Sequence, residues 1–144
     1  MKKVALVLVV FLFCISSTVY AAVDITGTWE GSYSLKLTNI KTGKKSTETG
    51  TLTLESKQKG KRVSGTLSKS SDKSGDTESS SIKGTIKENT FKFSFTGSDP
   101  TCPNSNNGIA NISGSGDSMD VTITGKDCKY KFKAKGTLSR SSGS

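Results

Sequence analysis

The sequence predicts an all-β protein, an eight-stranded antiparallel up-and-down barrel, with a β-sandwich as the alternative. Three observations lead to this prediction. Apolar and polar residues alternate with a period of two in successive short segments, and turn residues separate these segments at the spacing of a meander. Beyond the N-terminal stretch, no segment has the periodicity of a helix.

The N-terminal segment, residues 1–21, has the features of a secretory signal peptide. Two lysines precede an apolar run that is too short to remain as a membrane-spanning helix, and small residues lead to a cleavage site after Ala21. We therefore expect export to a bacterial periplasm or beyond the cell, with residues 22–144 forming a single domain. The alternative is a lipid anchor on Cys14, which the bulky Phe13 before it disfavours.

The first predicted strand, residues 25–37, carries apolar side chains at odd positions and polar ones at even positions, and it contains the single tryptophan, Trp29. A polar, basic loop is predicted at 38–49. The second and third strands then follow, joined by a tight turn at 58–61. The polar, low-complexity segment 69–80 cannot bury apolar surface and predicts a second long loop.

The fifth strand has the most regular alternation, because Phe91, Phe93 and Phe95 share one face. A third long loop, 97–108, is rich in proline and asparagine. The sixth strand is irregular, since the apolar residues within 109–112 do not share one parity, and we expect a bulge there. The fourth, seventh and eighth strands show ordinary alternation.

The order of the strands predicts a barrel with two different ends. Alternate connections of an up-and-down barrel lie at the same end, so the three long loops should surround one open rim while tight turns close the other. Cys102 and Cys128 both fall at the open rim. In an oxidising compartment they are expected to form a disulfide, which would contribute about 3 kcal/mol to stability by the chain-entropy estimate.

Trp29, near the start of the first strand, and Arg140, after the end of the last, both fall at the closed end. The pair Gly27 and Trp29, together with this C-terminal arginine, resembles the structural signature of the calycin superfamily, and residues 25–29 (ITGTW) are similar to the first strand of the avidin family. The resemblance implies a compact eight-stranded barrel in which Arg140 packs across Trp29. Biotin binding is not expected, because avidin-like biotin sites are walled by several tryptophans and this chain has one.

The barrel interior is the main candidate for a binding site. Either the aromatic side chains fill the barrel and the small residues accommodate them, or the small residues leave a cavity between the aromatics. A cavity of this composition suits an apolar or aromatic small molecule, with the tyrosines making the few polar contacts. The expected lining residues are Tyr33, Phe91, Phe93, Phe95, Tyr130 and Phe132.

The composition gives little support for catalysis. There is no histidine, the two remaining cysteines are expected to pair, and no metal-ligand spacing occurs. We therefore expect no enzymatic activity, metal or cofactor. The net charge of +9 fits either an acidic protein, an anionic component of the cell envelope or a merely solvated exterior, and nucleic acid is not expected.

These observations predict an exported, non-enzymatic binding protein of calycin-like type that holds a small hydrophobic ligand inside its barrel. One alternative is a barrel that binds a macromolecule, such as a protease or another hydrolase, through the rim residues Pro100, Pro103 and Asn104; a rigid loop loses less entropy on binding. The other alternative is a structural protein of the envelope.

Overall fold

The computed structural model describes residues 21–97, 101–102 and 104–142. These residues form one closed antiparallel barrel in which each strand pairs with its neighbours in sequence and the last strand pairs with the first. The predicted up-and-down barrel is therefore confirmed. The predicted signal segment as far as residue 20, and the rim residues Pro100 and Pro103, lie outside the described residues. The strands are β1 (Gly27–Asn39), β2 (Lys45–Lys59), β3 (Arg62–Ser71), β4 (Thr77–Lys87), β5 (Thr90–Phe95), β6 (Ser105–Ile112), β7 (Ser118–Lys126) and β8 (Tyr130–Arg140).

The strands at the start of the barrel are longer than the sequence pattern indicates. The loop predicted at 38–49 is wrong in extent, because the strands continue until only residues 40–44 connect them, and the loop predicted at 69–80 shrinks in the same way to 72–76. The strand ends there are exposed on both faces, so no apolar alternation marks them. Pairing of the backbone needs no apolar side chain, and threonine favours a strand.

The bulge predicted in β6 is wrong. The pairing of β6 with β7 runs without interruption from Ser105 to Ile112, and Ile109 points outward with 44% of its surface exposed. The loop predicted at 97–108 is shorter for the same reason, since the strand already begins inside it. Two of the inward positions are occupied by a polar residue, Asn106, and a glycine, Gly108, so apolar and polar residues do not alternate along this strand. The inward side chains of β6 are Asn106, Gly108, Ala110 and Ile112.

The closed half of the barrel is filled by side chains. The rings of Phe91 and Phe93 stack with their centroids 5.0 Å apart. Packing this complete leaves no room for a ligand at that depth. The largest fully buried side chains are Ile25, Trp29, Leu54, Ile82, Ile86, Phe91, Met119 and Leu138.

Arg140 packs across Trp29 at the closed end, as expected. Its guanidinium carbon lies 4.3 Å from the centroid of the indole ring. The same guanidinium donates hydrogen bonds to the carbonyl oxygens of Thr26 and Asp24, both at 2.8 Å. The indole nitrogen of Trp29 donates to the carbonyl oxygen of Ile25 at 3.0 Å. The segment before β1 is thereby held across the closed end as a cover.

The open end carries the predicted disulfide. Cys102 and Cys128 are bonded, with their Cα atoms 5.6 Å apart. The turns at this end are also joined to each other, because the backbone N–H of Ile40, in the turn between β1 and β2, donates to the carbonyl oxygen of Lys129 at 2.8 Å. The turn between β7 and β8 is therefore tied to the β5–β6 connection by the disulfide and to the β1–β2 turn by this hydrogen bond.

Candidate binding cavity at the open end

A cavity of about 250 Å³ occupies the open half of the barrel, above the filled core. Its walls are apolar and its rim is polar. A larger depression of about 640 Å³ lies on the outer surface between exposed side chains such as Ser32 and Thr137. It is too open to surround a small molecule. The apolar residues of the cavity wall are Tyr33, Leu35, Leu37, Leu52, Leu67, Phe95, Ile123, Phe132 and Ala134.

The structure divides the aromatic residues predicted to line a cavity into three groups. Tyr33, Phe95 and Phe132 are part of the wall. Phe91 and Phe93 are buried in the core, because inward positions further along β5 from its open end lie deeper in the barrel. Tyr130, at the start of β8, is half-buried and is not among the lining residues. The interior is thus filled in its closed half and hollow in its open half.

Asn104, the predicted rim residue that the structure describes, lines the cavity. Its side-chain oxygen accepts hydrogen bonds from the backbone N–H of Gly97 and, at 2.9 Å, from the side-chain nitrogen of Asn106. Asn104 therefore joins the end of β5 to the start of β6 and orients its neighbour in the wall.

Asn106 is a lining residue that the sequence pattern did not reveal. Its side chain points inward from β6 and is 3% exposed, and its oxygen Oδ1 has no hydrogen-bond partner. The oxygen fits beside Gly125, where a Cβ atom would approach it to 2.0 Å. A buried, unpaired acceptor of this kind costs about 1–3 kcal/mol. Its even parity with Gly108, Ala110 and Ile112 is the signal by which the sequence could have shown it.

A chain of charged and polar groups runs along the rim from β1 to β4. The hydroxyl of Tyr33 donates to the carboxylate of Glu48 at 2.7 Å, and the ammonium of Lys69 lies 3.7 Å from Glu48 and 3.1 Å from Glu78. Burial, and then the bond to Glu48, raises the pKa of Tyr33 well above its usual range, so the hydroxyl keeps its proton and its bond to Glu48 into the alkaline range. Lys69 and Glu78 also line the cavity.

The opposite side of the rim is formed by the turn between β7 and β8. One carboxylate oxygen of Asp127 accepts the backbone N–H groups of Lys129 and Tyr130, at 2.7 and 2.6 Å. Asp127 lines the cavity as well. This turn carries Cys128, so the disulfide and the Asp127 hydrogen bonds together fix the wall beside Phe132.

The arrangement is suited to holding a molecule. An apolar chamber below a polar rim can bury an apolar body and leave one polar group near the mouth. Within the described ranges no group of three or more side chains is placed to hold a metal ion. The carboxylates of Asp72 and Glu78 have partners other than a metal. Asp72 accepts a hydrogen bond from the hydroxyl of Thr49 at 2.9 Å, and Glu78 forms an ion pair with Lys69.

Comparison with known proteins adds no relative from which a function could be carried over. A scan against protein-family models gives no match, and a search of curated proteins finds no significant match. No helix in residues 21–97, 101–102 and 104–142 is long and apolar enough to cross a membrane.

Proposed function

We propose that this protein is a non-enzymatic, calycin-like binding barrel that holds one small hydrophobic ligand in its open-end cavity. The observation that carries the proposal is the buried, unpaired side-chain oxygen of Asn106, a residue that lines a chamber with mainly apolar walls. A fold that keeps a buried acceptor unpaired loses stability, and a ligand that donates a hydrogen bond to it restores that loss. The disulfide supports an exported protein, because disulfides persist in oxidising compartments.

The size of the cavity limits the ligand. Benzene occupies an apolar protein cavity of roughly 150 Å³, and the cavity here is about 250 Å³. A compound of one or two rings, or a short aliphatic chain, fits that volume. The ligand should carry a single N–H or O–H donor, placed so that it reaches Asn106 while its apolar part lies against Phe95 and Phe132.

Matched ligands test the role of the donor. Indole has an N–H group, and 1-methylindole has nearly the same shape without it. Pairing the Asn106 oxygen should favour indole by about 1.4 kcal/mol or more, which is roughly tenfold in the dissociation constant. Calorimetric titration of both compounds measures the ratio. The proposal is wrong if neither compound binds and if native mass spectrometry of protein purified from its own envelope shows no bound molecule.

The variant Asn106→Leu separates the donor contact from the cavity itself. Leucine keeps a side chain of similar size but removes the acceptor, so indole should lose its advantage while 1-methylindole still binds. The matched control is Asn107→Leu, on the same strand but with an exposed, outward side chain. The control should leave both affinities unchanged. Equal loss of indole binding in both variants would contradict the role of Asn106.

A further inference from the structure

The outer surface of β8 and the adjacent strands bears a cluster of lysines that we call the lysine face. On β8 the inward positions belong to Phe132, Ala134 and Gly136, so the alternating lysines point outward. The residues paired with them across β1 and β7 are lysine, serine or threonine, with no acid among them. All five members of the lysine face are exposed. They are Lys36 of β1, Lys126 of β7, and Lys131, Lys133 and Lys135 of β8.

The register of the barrel places like charges directly opposite each other on this face. Lys36 is opposite Lys133 in the β1–β8 pair, and Lys126 is opposite Lys131 in the β7–β8 pair. Side chains in such positions have Cβ atoms about 4.5–5.5 Å apart, and like charges there destabilise a sheet. Two unfavourable pairs on adjacent strands indicate that this surface is arranged to meet something other than water.

The same barrel pairs opposite charges elsewhere. Lys69 of β3 lies opposite Glu78 of β4, and their side chains form an ion pair at 3.1 Å. Among the residues that the structure describes, the ion pairs within 4.0 Å all belong to Lys69, and none reaches the lysine face. Ion pairs among the described residues therefore leave the positive charge of the lysine face without a partner.

An exposed apolar side chain stands at the open-rim end of the lysine face. Ile40 is 45% exposed, one of two large apolar side chains with such exposure in the described ranges. Its backbone N–H donates to the carbonyl oxygen of Lys129, two residues before Lys131, and Lys41 and Lys44 belong to the same turn. An exposed apolar side chain in a lysine-rich segment is the chemistry of a surface that binds the interface of an anionic membrane.

We propose that the lysine face and Ile40 dock this barrel on an anionic lipid bilayer. Charge complementarity supplies the attraction, and Ile40 distinguishes a bilayer from a soluble polyanion, because only the bilayer offers an apolar layer for its side chain. Docking in this way brings the mouth of the cavity close to the lipid surface. The proposal does not depend on the cavity holding a ligand, and its test requires none.

Vesicle co-sedimentation of the purified protein tests the docking. Vesicles of phosphatidylglycerol mixed with phosphatidylcholine should bind the protein, and pure phosphatidylcholine vesicles should not. Raising the salt concentration from about 0.01 to about 1 M shortens the Debye length from roughly 30 to roughly 3 Å, and should release most of the bound protein. Equal binding to both kinds of vesicle would overturn the proposal.

Paired lysine variants locate the surface. The variant Lys131→Ser/Lys133→Ser removes two charges from the lysine face and should weaken binding about tenfold or more, given the usual contribution of a lysine near an anionic surface. The control, Lys83→Ser/Lys87→Ser, removes the same charge from exposed positions of β4, half the barrel away. The control should bind nearly as well as the wild type. Unchanged binding of the first variant, or equal loss in both, would refute the proposed surface.

The variant Ile40→Ser decides between a bilayer and a soluble polyanion. It should weaken binding to the anionic vesicles several-fold and leave binding to soluble polyphosphate unchanged. If Ile40→Ser binds vesicles as the wild type does, while polyphosphate competes the protein off them, then the partner is a soluble polyanion and the bilayer proposal is wrong.

Discussion

Tyr33 connects the cavity wall to the charged rim. Its ring lines the apolar chamber and is 4% exposed, while its hydroxyl reaches the carboxylate of Glu48 at 2.7 Å. Glu48 in turn lies 3.7 Å from Lys69, so a residue of the wall is held by groups that contact solvent. The position of the Tyr33 ring, and with it the shape of the mouth, depends on this hydrogen bond.

The variant Tyr33→Phe should show a pH-dependent effect on stability. Near neutral pH it loses the bond to Glu48, and we expect the free energy of unfolding to fall by about 1–2 kcal/mol. The folded state raises the pKa of Tyr33, so the wild type should lose stability as the pH rises above about 10, where the unfolded tyrosine ionises. The variant has no hydroxyl to ionise at this position, so its free energy of unfolding lacks this pH-dependent loss. The wild type should therefore be the more stable protein near neutral pH, and this advantage should shrink and then reverse as the pH rises.

Urea unfolding of both proteins between neutral pH and the alkaline limit of folding measures this difference. Groups outside the chain of Tyr33, Glu48 and Lys69 contribute equally to the wild type and the variant, so their contributions cancel in the comparison. A constant difference across the alkaline range would contradict the raised pKa of Tyr33.

At the level of single strands, the alternation of side chains predicted those parts of the barrel where one face is buried. The stripe of β5 and the lysine alternation of β8 were readable because one face meets the core. The outer ends of β2 and β4 were predicted as loops, because both of their faces are exposed there and no pattern records the pairing. Glu48 lies in the outer end of β2, and Lys69 lies near the end of β3, in the segment 69–80 that the sequence predicts as a loop. The polar side of the cavity could therefore not be predicted.

The strand β6 shows a second limit. Its inward positions include Asn106 and Gly108, neither of which is apolar, whereas the outward Ile109 is apolar. The apolar residues of 109–112 therefore share no parity, and the sequence predicts a bulge. Glycine is required at position 108 by a long-range contact, because a Cβ atom there would approach the ring of Phe93 on β5 to 2.0 Å. A single sequence does not show which aromatic ring of one strand will pack against which glycine of another.

The variant Gly108→Ala should therefore destabilise the barrel. The added methyl group must displace a buried ring, and overpacking of this kind costs about 1–3 kcal/mol. Gly114→Ala is the matched control, because no atom lies within 4 Å of its added Cβ. Thermal unfolding should show a lower midpoint for Gly108→Ala and little change for the control. Comparable midpoints for the two variants would show that the ring of Phe93 moves aside without cost.

At the scale of the whole molecule, the two ends of the barrel have different structural roles. The closed end is filled, and its cover is held by Trp29 and Arg140. The open end is hollow, and its rim is held by the disulfide between Cys102 and Cys128 and by the hydrogen bonds of Asp127. Core contacts are continuous from one end to the other, but the side chains that would meet a ligand are all at the open end.

This division predicts opposite effects for substitutions at the two ends. Arg140→Lys keeps the charge but loses the planar group that stacks on Trp29 and reaches two carbonyl oxygens, so it should lower the free energy of unfolding by about 1–3 kcal/mol. Its affinity for indole and for anionic vesicles should match the wild type. Phe132→Ala removes a wall of the cavity where the side chain is half-buried, so it should weaken indole binding by about tenfold or more.

Urea unfolding and calorimetric titration of these two variants, made side by side, compare the ends directly. Because Phe132 is only partly buried while Trp29 is fully buried, the stability lost at the open end should be smaller than a core truncation would give. The opposite result is that Arg140→Lys abolishes ligand binding while Phe132→Ala lowers only the stability. That result would place the binding site at the closed end and contradict the assignment of the cavity.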